Sequence, residues 1–446
     1  MALPAVGGQL ADHSQQEQVG AATLGDGLDM EDPGGCHGGV TGGLLTMAPR
    51  RPQTPEPMRV AINAEQLLHH SPGGIGRYVA NLVAGVPEVA ADASVVAFVA
   101  RHRRGEVAEA WRVAGLGAAR PPVVLPLPRP VLYEGWHRGG WPPVGWRRPP
   151  LQEAEVVHAP SLAVPPKGRR ALVVTVHDAA PVLFPEAFTR HGRTFHRLGI
   201  EAARRRADLV ITVSHAAAAE ICAHTGIPED RLRVVPGGVD PPAPAPARPG
   251  PFVRQQGLAG RRYLLWVGSL EPRKGVGTAV AAVADLVGRH HRLRDVLLVL
   301  AGYSGWLTDR AVDAGTRARL GANLKELGRV TDEQLWELYA SATAFVFPSI
   351  HEGFGLPVVE AMSQGTPVVC SDLPVLHEVA GDAAVFVAAG DAGAWADALE
   401  EVLDDAGLAR RLAADGSRRA PQFTARRQAE ATVGVYREAL GLGRPG

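Results

Sequence analysis

Ser349-Ile-His-Glu-Gly-Phe-Gly-Leu-Pro-Val-Val-Glu-Ala-Met362 decides how this chain is read, because a short apolar run precedes it and a helix opens within it. Ala344-Phe-Val-Phe-Pro348 is of strand type, and Pro357 followed by Val-Val-Glu-Ala-Met reads as a first helical turn with proline at a permitted position. Gly353 and Gly355 let the connecting loop turn tightly and bring the backbone close to a ligand. The free amides at the helix start offer an anion site with the positive dipole end behind it. Glu352 precedes the loop and Glu360 lies about one turn into the helix, so the two acids face different parts of one ligand. Carboxylates this close to a phosphate are suited to accepting hydrogen bonds from sugar hydroxyls. A nucleotide sugar satisfies both requirements.

The string from Glu352 to Met362, with Gln364-Gly-Thr-Pro-Val-Val-Cys370 after it, resembles the acid, seven residues, acid signature of retaining glycosyltransferases of family 4. The plainer reading of the same residues is a strand, turn and helix whose acids are merely solvated. The resemblance extends over about 58 to 440 and implies an α/β protein of GT-B architecture, two facing Rossmann-like domains with doubly wound parallel sheets.

Length and composition leave room for this. The 446 residues suffice for two domains with cores, and 46% hydrophobic with 21% charged residues is ordinary for a globular chain. Charge is uneven along the chain: residues 1–57 carry 2 basic and 7 acidic groups, 58–250 carry 23 and 16, and 251–446 carry 21 and 23. The middle piece therefore suits an anionic neighbour, either a membrane surface or a phosphate-bearing acceptor, or else simply carries solvated arginines. Three widely spaced cysteines, Cys36, Cys222 and Cys370, make neither a metal framework nor a disulfide scaffold. With no apolar run near the ~20 residues of a membrane span, the expected location is cytoplasmic, with peripheral membrane association through the basic N-terminal domain.

Taken in order, residues 1–57 are rich in Gly, Pro and acids without periodicity and are expected to be disordered. A first domain is expected over 58–240, a proline-rich linker over 241–251, a second domain over 252–424, and a helix at 425–440 that in similar proteins returns to the first domain. Gly74-Ile-Gly76-Arg77-Tyr78 follows the first strand but lacks the third small residue of the dinucleotide fingerprint, and the next strand ends in Arg101 instead of an acid. A nicotinamide site is thereby disfavoured. The string is similar to the N-terminal loop of family 4 transferases, which makes Gly74 and Gly76 donor-loop residues and Arg77 a phosphate partner. Tyr133, Trp136, Trp141 and Trp146 crowd an aperiodic stretch, suited to sugar stacking, to bilayer insertion, or to anchoring their own loop.

His177-Asp178 close an apolar strand at its ligand-facing end. By resemblance to mannosyltransferase-like sequences His177 holds a donor-sugar hydroxyl and Asp178 lies in the donor site. Arg273 and Lys274 sit just past another strand end and can neutralise a diphosphate leaving group. The resemblance further assigns Glu352 to donor-sugar hydroxyls, Glu360 to the ribose, the backbone at Arg329 and Val330 to the base, and Gly353, Phe354, Gly355 and Leu356 to the donor loop. The family usually has asparagine where Gly237 stands. No Asp-x-Asp motif occurs, so the expected reaction is metal-independent and needs no cofactor besides a nucleotide-sugar donor. The Gly-Gly-Ile-Gly-Arg-Tyr and Val-His-Asp strings resemble mannosyltransferases of envelope polysaccharide assembly, which implies GDP-mannose over a UDP-sugar and a glycan or lipid-linked acceptor; nucleic acid is not an expected partner. An epimerase or phosphorylase, or a non-catalytic module of the same fold, is the other class.

Overall fold

The computed structural model of the chain describes residues 58–70, 72–242, 248–302 and 314–442. The segment expected to be disordered, 1–57, together with Cys36, Ser71 and residues 243–247 of the expected linker, lies outside the described residues.

Two parallel sheets organise the rest. The first contains β1 (Met58–Asn63), β2 (Ala93–Val99), β3 (Val123–Val124), β4 (Val156–Ala159), β5 (Ala171–Thr175), β6 (Leu209–Thr212) and β7 (Leu232–Val234). Their spatial order is β3-β2-β1-β4-β5-β6-β7. The second contains β8 (Tyr263–Val267), β9 (Leu297–Ala301), β10 (Leu324–Gly328), β11 (Ala344–Phe347), β12 (Val368–Ser371) and β13 (Ala384–Val387), ordered β10-β9-β8-β11-β12-β13. In each sheet the chain starts in the middle, runs to one edge, then returns to fill the other, the doubly wound order that leaves a crevice where the direction reverses. Every residue of β4, β5, β6, β9, β11 and β12 is buried. Helices cover both faces, which is why these strands read as unbroken apolar runs.

One face of the first sheet carries helix Gly73–Val89 and the last helix, Ala425–Leu442, packed through Leu82, Val86, Val433 and Tyr436. On the other face, Trp136, Ile200, Ala203 and Ile221 build a separate core. The last helix lies close: a Cβ on Gly85 would stand 3.0 Å from that of Ala429. Buried Gln428 ties it down, accepting from Asn81 Nδ2 (3.1 Å) and the Gly238 N–H (2.9 Å) and donating to Tyr78 O (3.2 Å).

Two strands carry no sequence signal. β3 is two residues long, and β10 (Leu-Lys-Glu-Leu-Gly) is a half-exposed edge strand, so neither forms an apolar run. Gly74 and Gly76, expected as donor-loop residues where a helix opens, lie in the first turn of helix Gly73–Val89. The four aromatics divide: Trp136 is fully buried with Tyr133 stacked on it (5.5 Å) and anchors its own segment, whereas Trp141 is half-exposed. Among the described residues no helix is long and apolar enough to cross a membrane.

Candidate functional site

The crevices of the two sheets supply the candidate residues. In the first sheet the order reverses between β1 and β4, in the second between β8 and β11. Helix Gly73–Val89 follows β1, and His177-Asp178 follow β5, the neighbour of β4. Arg273 and Lys274 follow β8, and the loop Ser349–Gly355 follows β11.

Arg273 and Lys274 occupy a 3₁₀ turn, Pro272–Lys274, closed by Gly275 at φ +65°. Only glycine fits there, since a Cβ would stand 1.8 Å from Pro348 O. Ile350 N–H donates to Arg273 O (2.8 Å) and Trp266 Nε1 to Lys274 O (3.2 Å), so the turn is fixed against both β8 and β11. From it Lys274 Nζ reaches both oxygens of Glu352, at 2.7 and 3.0 Å, and Arg273 donates to His351 O (2.9 Å). The Glu352 side chain is 8% exposed and that of Lys274 19%. Burial alone pushes the Glu352 carboxyl up, but Lys274 and Arg273 together outweigh it and hold it below the usual carboxylate range. The acid is therefore ionised, and two cations stand where an anion bound between the domains would meet them.

Glu360 lies in the helix Leu356–Ser363 that follows the loop. Its carboxylate accepts from Tyr339 Oη (2.9 Å) and from Arg77, whose guanidinium also reaches Asp332 (3.0 Å). Glu352 and Glu360 thus have separate partners. Arg77, expected as a phosphate partner, is held by carboxylates of the second domain. Arg329 likewise crosses, donating to His70 O (2.7 Å). The turn Arg329-Val330 is rigid: Gly328 precedes it at φ +65°, and Thr331 caps the next helix in a capping box with Gln334.

The glycine loop touches the first domain directly. A Cβ on Gly353 would stand 2.3 Å from His177 O, and Ser214 Oγ donates to Gly353 O (2.8 Å). His177 donates from Nε2 to Pro160 O (2.9 Å) and meets the Tyr78 ring edge-on. Burial lowers its pKa and keeps it neutral, so Nδ1 is left as an acceptor for a hydroxyl. Asp178 caps the next turn through the Ala180 N–H (3.0 Å). The side chains of Phe354 and Leu356, expected in the donor loop, pack into the interdomain core. Phe354 meets Phe423 edge-on, and a Cβ on Gly237 would stand 3.0 Å from Leu356 Cδ2 and 3.2 Å from Phe354 Cδ1. Glycine in place of the usual asparagine at 237 is the residue that this contact admits.

Several cross-domain groups carry no local sequence signal. His351 Nε2 pairs with Glu220 Oε2 (2.8 Å), and Glu378 accepts the His215 and Ala216 amides (2.9 and 2.6 Å) at the start of helix His215–Thr225. Each partner is more than 130 residues away in sequence, so only tertiary structure joins them. Among the described residues no group of three or more His, Cys, Asp or Glu is placed to hold a metal ion.

Comparison with known proteins agrees with this arrangement. Residues 252–419 match the family model described as Glycosyl transferases group 1, and residues 72–242 match Glycosyltransferase Family 4. The chain is 33% identical over 287 residues to the O-antigen chain mannosyltransferase B of Escherichia coli, covering 63% of this chain and 74% of the relative. It is 32% identical over 285 residues to an MMP alpha-(1->4)-mannosyltransferase of Mycolicibacterium hassiacum, covering 60% and 66%. Among solved structures, the fold is similar to a sucrose-phosphate synthase from Thermosynechococcus elongatus (TM-score 0.65, 22% identity, 86% of this chain and all of that one). It is also similar to Anabaena HepE in complex with UDP and glucose (TM-score 0.63, 19% identity, 85% and 100%). Both halves match, on two doubly wound sheets that face each other across paired cations and carboxylates; the chain belongs to the family 4, group 1 glycosyltransferases of GT-B architecture.

Proposed function

We propose that the protein transfers mannose, with retention and without a metal ion, from GDP-mannose to a glycan or lipid-linked acceptor in the assembly of an envelope polysaccharide or glycoconjugate. The observation that carries this reading is the constellation at the β8/β11 crevice: Arg273 and Lys274 on a glycine-closed turn, bonded to the loop that bears Glu352. Two fixed cations stabilise a departing diphosphate without reorganising at the moment of reaction, which supports a metal-independent route. Glu352 and the acceptor nitrogen of His177 serve the donor sugar, and Glu360 serves the ribose. The ribose has to displace or share the Arg77 guanidinium. Relatives named mannosyltransferases support the choice of sugar. The proposed transfer takes place in the cytoplasm, peripherally at the membrane, a reading that the basic excess of residues 58–250 supports.

A thermal-shift panel of GDP, UDP and ADP, then of their sugars, tests the donor. A ligand at a hundred times its Kd adds roughly 2.7 kcal/mol to the native state, and GDP and GDP-mannose are expected to raise the midpoint by a few degrees. A shift with UDP and none with GDP refutes GDP-mannose. Strict dependence of turnover on an added divalent ion refutes the mechanism.

The two glutamates are expected to separate by role. Glu360→Gln weakens donor and free nucleotide alike, because the ribose is common to both. Glu352→Gln leaves nucleotide affinity intact and lowers turnover. Calorimetric titration with the free nucleotide decides, and equal losses in both variants refute the division.

A further inference from the structure

A cavity of about 940 Å³ opens at the amino-terminal edge of the first sheet, beside Glu155 before β4, Ala171 at the start of β5 and Asp208 before β6. The donor crevice lies at the carboxyl ends of the same strands, so this cavity belongs to a different place on the domain. Its volume is that of a small-molecule site.

The loop Pro143–Arg147 forms one wall and Lys167–Arg170 another. Arg170 is structural: its guanidinium donates to Val144 O (2.8 Å), Ala154 O (3.0 Å) and Gln152 O (3.1 Å), tying the loop to the sheet. The two acids are engaged as well. Asp208 accepts from Lys167 and from the Leu172 N–H (2.8 Å), and Glu155 from the Arg59 N–H (3.3 Å). Arg147 and Arg169 remain. Both are exposed, and neither guanidinium has a carboxylate or carbonyl partner among the described residues.

Arg147 is also conformationally unusual. Its φ of +54° places it in the left-handed region, which side chains other than glycine rarely adopt. The neighbouring Gly145, at φ +92°, lies tight against the backbone of Leu151 and Gln152, and Arg148 N–H closes the turn onto Gly145 O (2.9 Å). The result sets the Arg147 guanidinium 4.8 Å over the Trp146 ring, and Trp146 lines the cavity.

We infer that this cavity is a second ligand site that takes a phosphorylated saccharide, the phosphate between Arg147 and Arg169 and the sugar against Trp146. Planar guanidiniums hold phosphate oxygens bidentately, and an indole suits the apolar face of a sugar ring.

Calorimetric titration of the full chain with glucose 6-phosphate, glucose and inorganic phosphate tests this. Glucose 6-phosphate is expected to bind more tightly than either part. Its affinity should fall at least about tenfold in Arg147→Ala/Arg169→Ala, and by a smaller factor in Trp146→Ala. It should be unchanged in Lys274→Ala, which disables the donor crevice. No binding, or binding unaffected by the double substitution, overturns the site. Phosphate alone binding as tightly overturns the saccharide, and loss in Lys274→Ala moves the ligand to the donor crevice. Sedimentation with phosphatidylglycerol vesicles separates the other source of phosphate: capture that depends on Arg147 and Arg169 would assign the site to a lipid headgroup instead. Both arginines are exposed, so an unchanged melting midpoint verifies that the double variant is folded.

Discussion

Lys274→Ala is expected to lower kcat by on the order of 10²- to 10³-fold, the usual consequence of removing one group that stabilises developing charge, and also to destabilise the fold by about 3 kcal/mol at neutral pH. The second effect follows from Glu352. Its carboxylate is nearly buried and held by Lys274 at 2.7 Å, so removing the cation leaves an uncompensated charge. The pH dependence has a definite sign. In the native protein the Glu352 pKa is depressed, so the pair contributes stability above the unfolded pKa of ~4.3 and loses it as pH falls through the lower folded value. In the variant burial is opposed mainly by Arg273 alone, so the pKa rises from its native value, and the penalty is full at pH 7 and shrinks once Glu352 takes up a proton. Urea unfolding of both proteins at pH 7 and near ~4 measures this. Lys274→Met/Glu352→Gln should recover most of the stability and none of the turnover. A double variant as active as the native enzyme would remove both residues from the mechanism.

Gly353→Ala is expected to lower kcat/KM by at least about 10²-fold while each domain stays folded. The added Cβ would stand 2.3 Å from His177 O and 3.1 Å from Asp178 Cβ, and a backbone carbonyl cannot swing aside as a flexible side chain can. The domains must part by a fraction of an ångström to an ångström at the point where Ser214 holds Gly353 O. A misplacement of that size costs reacting groups on the order of 10²-fold. Far-ultraviolet circular dichroism should be unchanged, and nucleotide affinity, which the proposed function assigns to the second domain, should fall much less than turnover. Native turnover in Gly353→Ala would show that this contact does not govern alignment.

The apolar runs Ala171–Thr175 and Ala344–Phe347, the glycines after Glu352 and the proline at 357 were enough to place the central strands, the helix Leu356–Ser363 and the doubly wound class. Burial on both faces of a parallel strand leaves a continuous hydrophobic signature, and glycine and proline mark backbone conformations that no other residue adopts as readily. Edge strands escape this logic, since β10 is half-solvated and keeps lysine and glutamate.

The sequence by itself singled out the side chains on which the proposed chemistry rests: Arg273 and Lys274 past one strand, Glu352 and Glu360 flanking one loop, His177 ending another strand. Their local spacing expresses a local requirement, a turn or a helix start, and short-range backbone geometry is written in short stretches of chain. Only the tertiary structure decided with whom they pair. Lys274 and Glu352 are 78 residues apart, His351 and Glu220 131, Arg77 and Glu360 283. Arg77 is engaged by carboxylates, and Phe354 turns into the interdomain core. Such partners are selected by the way two separately folded sheets face each other, a packing of surfaces that no window of sequence contains.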